Sequence, residues 1–99
     1  METVEITVQP ASWWLYLLEC EGGSIYTGIT TDVAARYAKH VDGKGAKYTR
    51  AFPPLRILKT VACADYSAAL KAEHAIKKMS AAQKRAFCLT EPDTTTCTN

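Results

Sequence analysis

Missing from this 99-residue chain is any apolar run long enough to cross a bilayer. The longest, Trp13 to Leu18, is about a third of the roughly 20 residues a span requires. The opening METVEITVQP lacks a basic stretch followed by an apolar block, so a soluble, cytoplasmic protein that is not exported is expected. No two of the four cysteines (Cys20, Cys63, Cys88, Cys97) have the close spacing of a zinc knuckle or a redox pair. Free thiols in a reducing cytosol are expected instead. Internal repeats are absent, and only the tail TEPDTTTCTN is of low complexity. A chain this short has room for one core and one site, but not for a second recognition domain.

Basic residues are absent from the first 35 positions, which carry five acids and no Lys or Arg. Residues 36 to 59 then hold seven bases (Arg36, Lys39, Lys44, Lys47, Arg50, Arg56 and Lys59) against Asp42 alone. The formal net charge of +2 conceals this division. The basic middle is a candidate phosphate-binding surface, although Lys and Arg also serve simply to solvate small domains. With 47% hydrophobic and 22% charged residues, the composition is that of an ordinary globular protein, so the bulk of the chain should fold.

Aromatic and β-branched residues flank paired glycines in WWLYLLEC-EGGS-IYTGIT, which predicts a β-hairpin. With a three-residue loop of Glu21, Gly22 and Gly23, Leu18 pairs with Tyr26, and Tyr16, Leu18 and Tyr26 share a face. A two-residue loop would separate the tyrosines. Thr30 or Thr31 can cap a helix beginning near Asp32 and ending at Gly43. On that helix Arg36 and His40 share a face, beside an apolar stripe of Val33 and Tyr37. The segment DGKGAKYTRAFPP reads as a mobile loop that lies along a phosphate backbone, with Lys44, Lys47, Tyr48 and Arg50 as its nucleic-acid contacts. RILKTVACA is an apolar third strand, read as buried. Ser67 can cap a helix through about Met79. Ser80 and Gln83 form a capping-box signal for a last helix to about Leu89, anchored by Phe87 and Leu89. The expected architecture is α+β, in the order β-β-α-β-α-α. Residues 1–12 form an N-terminal extension, residues 13–89 the domain, and residues 90–99 a flexible tail.

Within the helix after the third strand, Glu73 falls three positions after Leu70 and three before Ile76, so it points inward. An unpaired buried carboxylate costs several kcal/mol, so something should meet it. A salt bridge to Arg36 or Lys77, an edge position reaching water, or a metal ion would each suffice. Magnesium commonly takes only one or two protein carboxylates, completing its octahedron with water and phosphate oxygens. Tyr16 and Tyr26 are either ordinary strand aromatics or phenols that accept a proton or position water. His40 has a suitable intrinsic pKa for proton transfer, but a lone histidine on a surface helix is often merely solvated. Arg36 is a plausible clamp for a phosphate whose charge grows in the transition state.

In order and spacing these residues resemble the GIY-YIG nuclease family, particularly its short stand-alone bacterial members, from about Trp13 to Phe87. The first signature triplet is WLY ending at Tyr16 and the second is YTG, Tyr26 to Gly28. Arg36 and His40 follow in RYAKH, then the loop GAKYTR, then Glu73 in AEHAIK. Trp and Leu replace Gly and Ile in the first triplet, and Thr replaces Ile in the second, all at strand backbone positions. The resemblance implies a three-stranded antiparallel sheet flanked by helices, with Tyr16, Tyr26, Arg36, His40 and Glu73 lining one face. It further implies a Mg²⁺ or Mn²⁺ ion bound through Glu73, a water activated near a tyrosine or His40, and Arg36 stabilising the pentavalent phosphate. The implied function is metal-dependent endonucleolytic cleavage of DNA, with RNA left open, structure-selective or weakly sequence-specific, in repair or recombination. The attached DNA-binding domains of larger relatives have no counterpart here, which argues against tight base readout. The rival reading is a non-catalytic module that binds nucleic acid or recruits a protein partner.

Overall fold

The computed structural model describes residues 12–89. Apart from Ser12, the expected N-terminal extension and tail lie outside the described residues. Three strands, β1 (Trp13–Cys20), β2 (Ile25–Thr30) and β3 (Pro54–Cys63), form one antiparallel sheet in the order β2-β1-β3. Four helices surround it: α1 (Val33–Val41), α2 (Lys47–Ala51), α3 (Tyr66–Lys77) and α4 (Ala81–Cys88). The architecture is the expected α+β sheet with flanking helices, to which α2 adds five residues of helix inside the segment read as a loop. Fusing the extended N-terminal hairpin to β3 makes β1 the central strand, and its residues from Leu15 to Leu18 are all buried.

The hairpin register follows from its turn. Glu21, Gly22 and Gly23 form a single 3-10 turn, with Gly22 at φ 85° and Gly23 at φ 83°, values that L side chains rarely adopt. Leu18 consequently faces Tyr26 and Tyr16 faces Gly28. Alternation along β1 then sorts the core into two layers. Leu15 and Leu17 pack with Ile25, Cys63, Ala69 and Ile76 beneath α3, while Tyr16, Leu18 and Cys20 pack with Tyr26, Val33 and Tyr37 beneath α1.

Local chemistry sets the helix ends, with two differences from expectation. Asp32 itself caps α1 by accepting from the Ala35 N–H, and Asp65 rather than Ser67 caps α3 by accepting from the Ala68 N–H. A carboxylate there satisfies a free N–H and also meets the positive helix end. The Ser80–Gln83 capping box starts α4 as expected, and Gly43, at φ 77°, follows the end of α1. At the end of α4, Phe87 packs into the core but Leu89 is 84% exposed, so Leu89 is not an anchor. The third strand also departs from expectation. It lies at the sheet edge rather than buried, leaving Leu55 and Ile57 exposed. Glu19 ties α4 to the hairpin by bonding Arg56 at 2.6 Å and Arg85 at 3.3 Å, and Arg85 also donates to the Gly23 carbonyl. Cys20, Cys63 and Cys88 are free thiols.

Candidate active site

The tyrosine face carries a hydrogen-bonded chain built from three elements. The hydroxyl of Tyr16 on β1 lies 2.8 Å from Nε2 of His40 on α1. On the other side of the ring, Nδ1 lies 2.6 Å from Oγ1 of Thr49 on α2. Thr49 in turn donates its hydroxyl proton to the Ala46 carbonyl at 3.0 Å. A hydroxyl has one proton to give. With that proton spent on Ala46, Thr49 must accept from His40, so Nδ1 carries the imidazole hydrogen and Nε2 presents a lone pair. Tyr16 is then the donor to Nε2.

Two glycines make this packing sterically feasible. A Cβ on Gly28 would fall 2.6 Å from the Tyr16 hydroxyl oxygen and 3.0 Å from the Tyr26 ring. The second signature triplet therefore ends in glycine because the cross-strand phenol occupies the space above it. At Gly45 a Cβ would lie 2.9 Å from both Cγ and Cε1 of His40, so only a bare backbone can cross this ring.

Burial tunes both titrating groups. Tyr16 and His40 are each 1% exposed. Desolvation pushes the Tyr16 phenol up to about 12, against an opposing pull from the hydrogen-bonding and positive charge of Arg36. Desolvation and then the Arg36 charge lower the His40 pKa from its ordinary 6.5. At neutral pH the pair is thus a neutral phenol donating to a neutral imidazole. Tyr26 completes the cluster, half-buried, with its ring centroid 6.2 Å from that of Tyr16 and 5.1 Å from that of His40.

From Tyr26 an aromatic ladder leads outward. Its ring lies 5.6 Å from that of Tyr48, which lies 5.4 Å from that of Phe52. Tyr48 and Phe52 are exposed, as are Lys44, Lys47 and Arg50 around them. Aromatic faces among exposed cations suit a nucleic-acid strand, through stacking and phosphate attraction.

Of the residues singled out from sequence, Tyr16, Tyr26, Arg36 and His40 come together on the tyrosine face. Glu73 is not part of their hydrogen-bonded network. Its helical neighbours Ala69, Ala72 and Ile76 pack on the opposite face of the sheet, and its carboxylate pairs with Lys77 at 3.2 Å. No hydrogen bond or ion pair among the described residues joins it to the tyrosines or His40. Its side chain is 15% exposed. Thr49, Gly45 and Phe52 were not singled out, and only the short spacing of a hydroxyl and a glycine after His40 could have signalled the first two. No group of three or more His, Cys, Asp or Glu among the described residues could hold a metal ion. The carboxylate to which the resemblance assigns a metal, Glu73, is alone in this respect and already paired with Lys77.

Known proteins share this sequence and this fold. A UPF0213 protein of Cupriavidus pinatubonensis is 67% identical over 84 residues, spanning 83% of this chain and 93% of that one. Another, from Cupriavidus necator, is 60% identical over 84 residues, spanning 85% of this chain and 91% of that one. The solution structure of the UPF0213 protein BH0048 from Bacillus halodurans has a TM-score of 0.52 at 40% identity, covering 83% of this chain and 87% of that one. That of EF2693 from E. faecalis has a TM-score of 0.54 at 36% identity, covering 81% and 83%. The pattern of the GIY-YIG catalytic domain matches residues 12–86, so the chain belongs to the GIY-YIG family, whose domain is of the endonuclease type and acts on nucleic acid.

Proposed function

We propose that this protein is a divalent-metal-dependent endonuclease that hydrolyses DNA phosphodiester bonds, with Tyr16 and His40 carrying the proton away from the attacking water. The observation that carries this reading is the hydrogen-bonded chain from Tyr16 through His40 to Thr49. It leaves the Nε2 lone pair facing the Tyr16 hydroxyl, ready to take its proton. As water attacks phosphorus, its proton passes to the Tyr16 oxygen while the Tyr16 proton passes to Nε2. A new P–O bond forms as the bond to the leaving oxygen breaks, and that oxygen departs as an alkoxide that takes a proton from solvent water.

Arg36, one helical turn before His40, neutralises charge growing on the non-bridging oxygens. An incoming phosphate competes with Tyr16 for the Arg36 guanidinium, and that exchange opens the buried phenol to water. Tyr26 holds the water from the outer side. Glu73 would hold a Mg²⁺ or Mn²⁺ ion only after giving up Lys77, and such an ion supplies Lewis-acid chemistry when bound. Lys44, Lys47, Tyr48 and Arg50 bind the strand through phosphate and stacking contacts. Binding of this kind favours selection by DNA shape over base sequence, consistent with work on branched, flapped or single-stranded intermediates of repair or recombination in the cytoplasm.

The near-complete burial of Tyr16 and His40 favours a second reading, in which the same network is structural and the domain only binds nucleic acid. Cleavage of labelled linear, flapped, branched and single-stranded DNA separates the two. Metal-dependent cutting that chelator stops and Glu73→Ala abolishes supports the nuclease. Salt-sensitive binding without cutting by either protein supports the binding module.

A further inference from the structure

Two residues before Tyr16 on β1, Trp14 walls an open cavity of about 320 Å³ with Thr31, Asp32, Val33 and Thr60. Trp14 and Tyr16 share a face of the sheet by alternation, Thr60 is the cross-strand partner of Tyr16, and Val33 packs in the tyrosine cluster. The cavity therefore opens beside the Tyr16–His40 pair, toward the end of β1 opposite the Tyr26–Tyr48–Phe52 ladder. Asp32 lies one helical turn, about 6 Å, before the Arg36 phosphate clamp. Apart from Asp32's helix cap, the reaction described above uses none of these five side chains.

Their chemistry is specific. An indole offers a flat apolar face, and two threonines offer hydroxyls. The Asp32 Oδ1 is committed to the Ala35 N–H at 3.0 Å, which leaves Oδ2 to accept from a ligand. A carboxylate repels phosphate, whereas a flat heterocycle bearing an amino group meets every wall. The volume is at the lower end of small-molecule sites and suits a ligand of about nucleotide size.

We propose that this cavity receives one nucleobase of the bound strand, next to the phosphate held by Arg36, stacked on Trp14 with its exocyclic amino group donated to Asp32. The proposal rests on the nucleic-acid reading above and adds a base preference to it. Cytosine, adenine and guanine carry such an amino group and thymine does not, so thymine is disfavoured.

The test is a titration of mononucleotides in chelator, where no cleavage occurs. Trp13→Phe leaves Trp14 as the sole indole reporter; wild-type protein, with Trp13 as added background, repeats the measurement should that variant fold poorly. Saturable quenching by dCMP, dGMP and dAMP, with TMP binding about tenfold more weakly, is expected from loss of a charge-assisted hydrogen bond. Asp32→Asn retains a capping oxygen but adds an amide donor, and should bring TMP to within about twofold of the others. Absence of saturable quenching, equal binding of all four, equal binding of deoxyribose 5-phosphate, or a preference that Asp32→Asn leaves unmoved would each overturn the pocket. Cleavage assayed separately in Mg²⁺ keeps the two ideas apart. Cutting without base-selective binding sinks the pocket alone, and base-selective binding without cutting sinks the nuclease alone.

Discussion

Replacing Thr49 by Val tests the hydrogen-bonded chain at its anchor with almost no change in shape. Thr49 is 1% exposed, and its hydroxyl accepts from His40 Nδ1 at 2.6 Å while donating to the Ala46 carbonyl. In Thr49→Val the Nδ1–H faces a methyl group inside the protein. Leaving such a donor unsatisfied costs about 1–3 kcal/mol, and the lost bond to Ala46 contributes further, so a destabilisation of about 2–3 kcal/mol is expected. For a domain of this size that is a fall in Tm of roughly 8–24 °C. The imidazole can escape part of this penalty by moving its hydrogen to Nε2, where the Tyr16 hydroxyl rotates to accept it, but Nε2 then has no lone pair to take a proton. Thr49→Ser keeps both hydrogen bonds and should stay within about 1 kcal/mol of wild type. Thermal melts give the stability, and long-range nitrogen–proton NMR of the His40 ring gives the tautomer. If Thr49→Val melts with Thr49→Ser and its ring still carries the hydrogen on Nδ1, Thr49 does not anchor the chain.

Other expectations follow from the same contacts. Gly28→Ala drives a methyl into the Tyr16 hydroxyl and Gly45→Ala drives one into the His40 ring, so each should cost about 1–3 kcal/mol in urea denaturation. An unchanged midpoint for either would mean that the close approach is absent. Stability against pH should have two limbs. Because the folded pKa of His40 is below its ordinary 6.5, the unfolded chain binds more protons in acid, and stability falls as pH drops below about 6.5. Because Tyr16 is pushed from 10.0 to about 12, the folded chain holds its proton longer in base, and stability falls between those values as pH rises. Urea midpoints should be flat from about pH 6.5 to about pH 9, where the Cys20 and Cys88 thiols, also pushed up by burial, begin to add to the alkaline limb, and a midpoint that rises toward acid would contradict the buried neutral imidazole. Replacing Lys47 and Arg50 together by Ala should weaken DNA binding and lower the slope of log affinity against log salt by about 2, the loss of two phosphate contacts. An unchanged slope would move the strand elsewhere.

Much of the fold was legible because a few local rules fix it. The glycine turn set the hairpin register, and period-two alternation then placed Tyr16, Leu18 and Tyr26 on one face, as Leu18 opposite Tyr26 shows. The Ser80–Gln83 box marked its helix for an equally local reason. What escaped depends on chain returning from elsewhere. His40 looks like a surface histidine when α1 is read alone, and only the approach of Gly45 and Thr49 buries it. Helix α2 is five residues between glycine-rich and proline-containing flanks, and its cap, Ala46, has no capping side chain, so composition reads it as a loop. β3 looks buried because its sequence is an apolar run, but strand order makes it an edge, and no periodicity reports strand order. For Glu73, helical spacing gave the inward direction, and the structure finds Lys77 as its partner. Spacing alone does not say which face of the sheet the helix will cover.

Single-turnover cleavage of labelled DNA by wild-type protein and by Tyr16→Phe, in Mg²⁺, beside binding measured in chelator, decides whether Tyr16 relays the proton. Tyr16→Phe removes one oxygen and leaves the aromatic packing in place. If Tyr16 passes the water's proton to His40, the variant should bind DNA as wild type does while cutting at least about a hundredfold more slowly, the lower range of a lost general acid–base group. Equal cutting rates would contradict the relay and return Tyr16, His40 and Thr49 to a purely structural role.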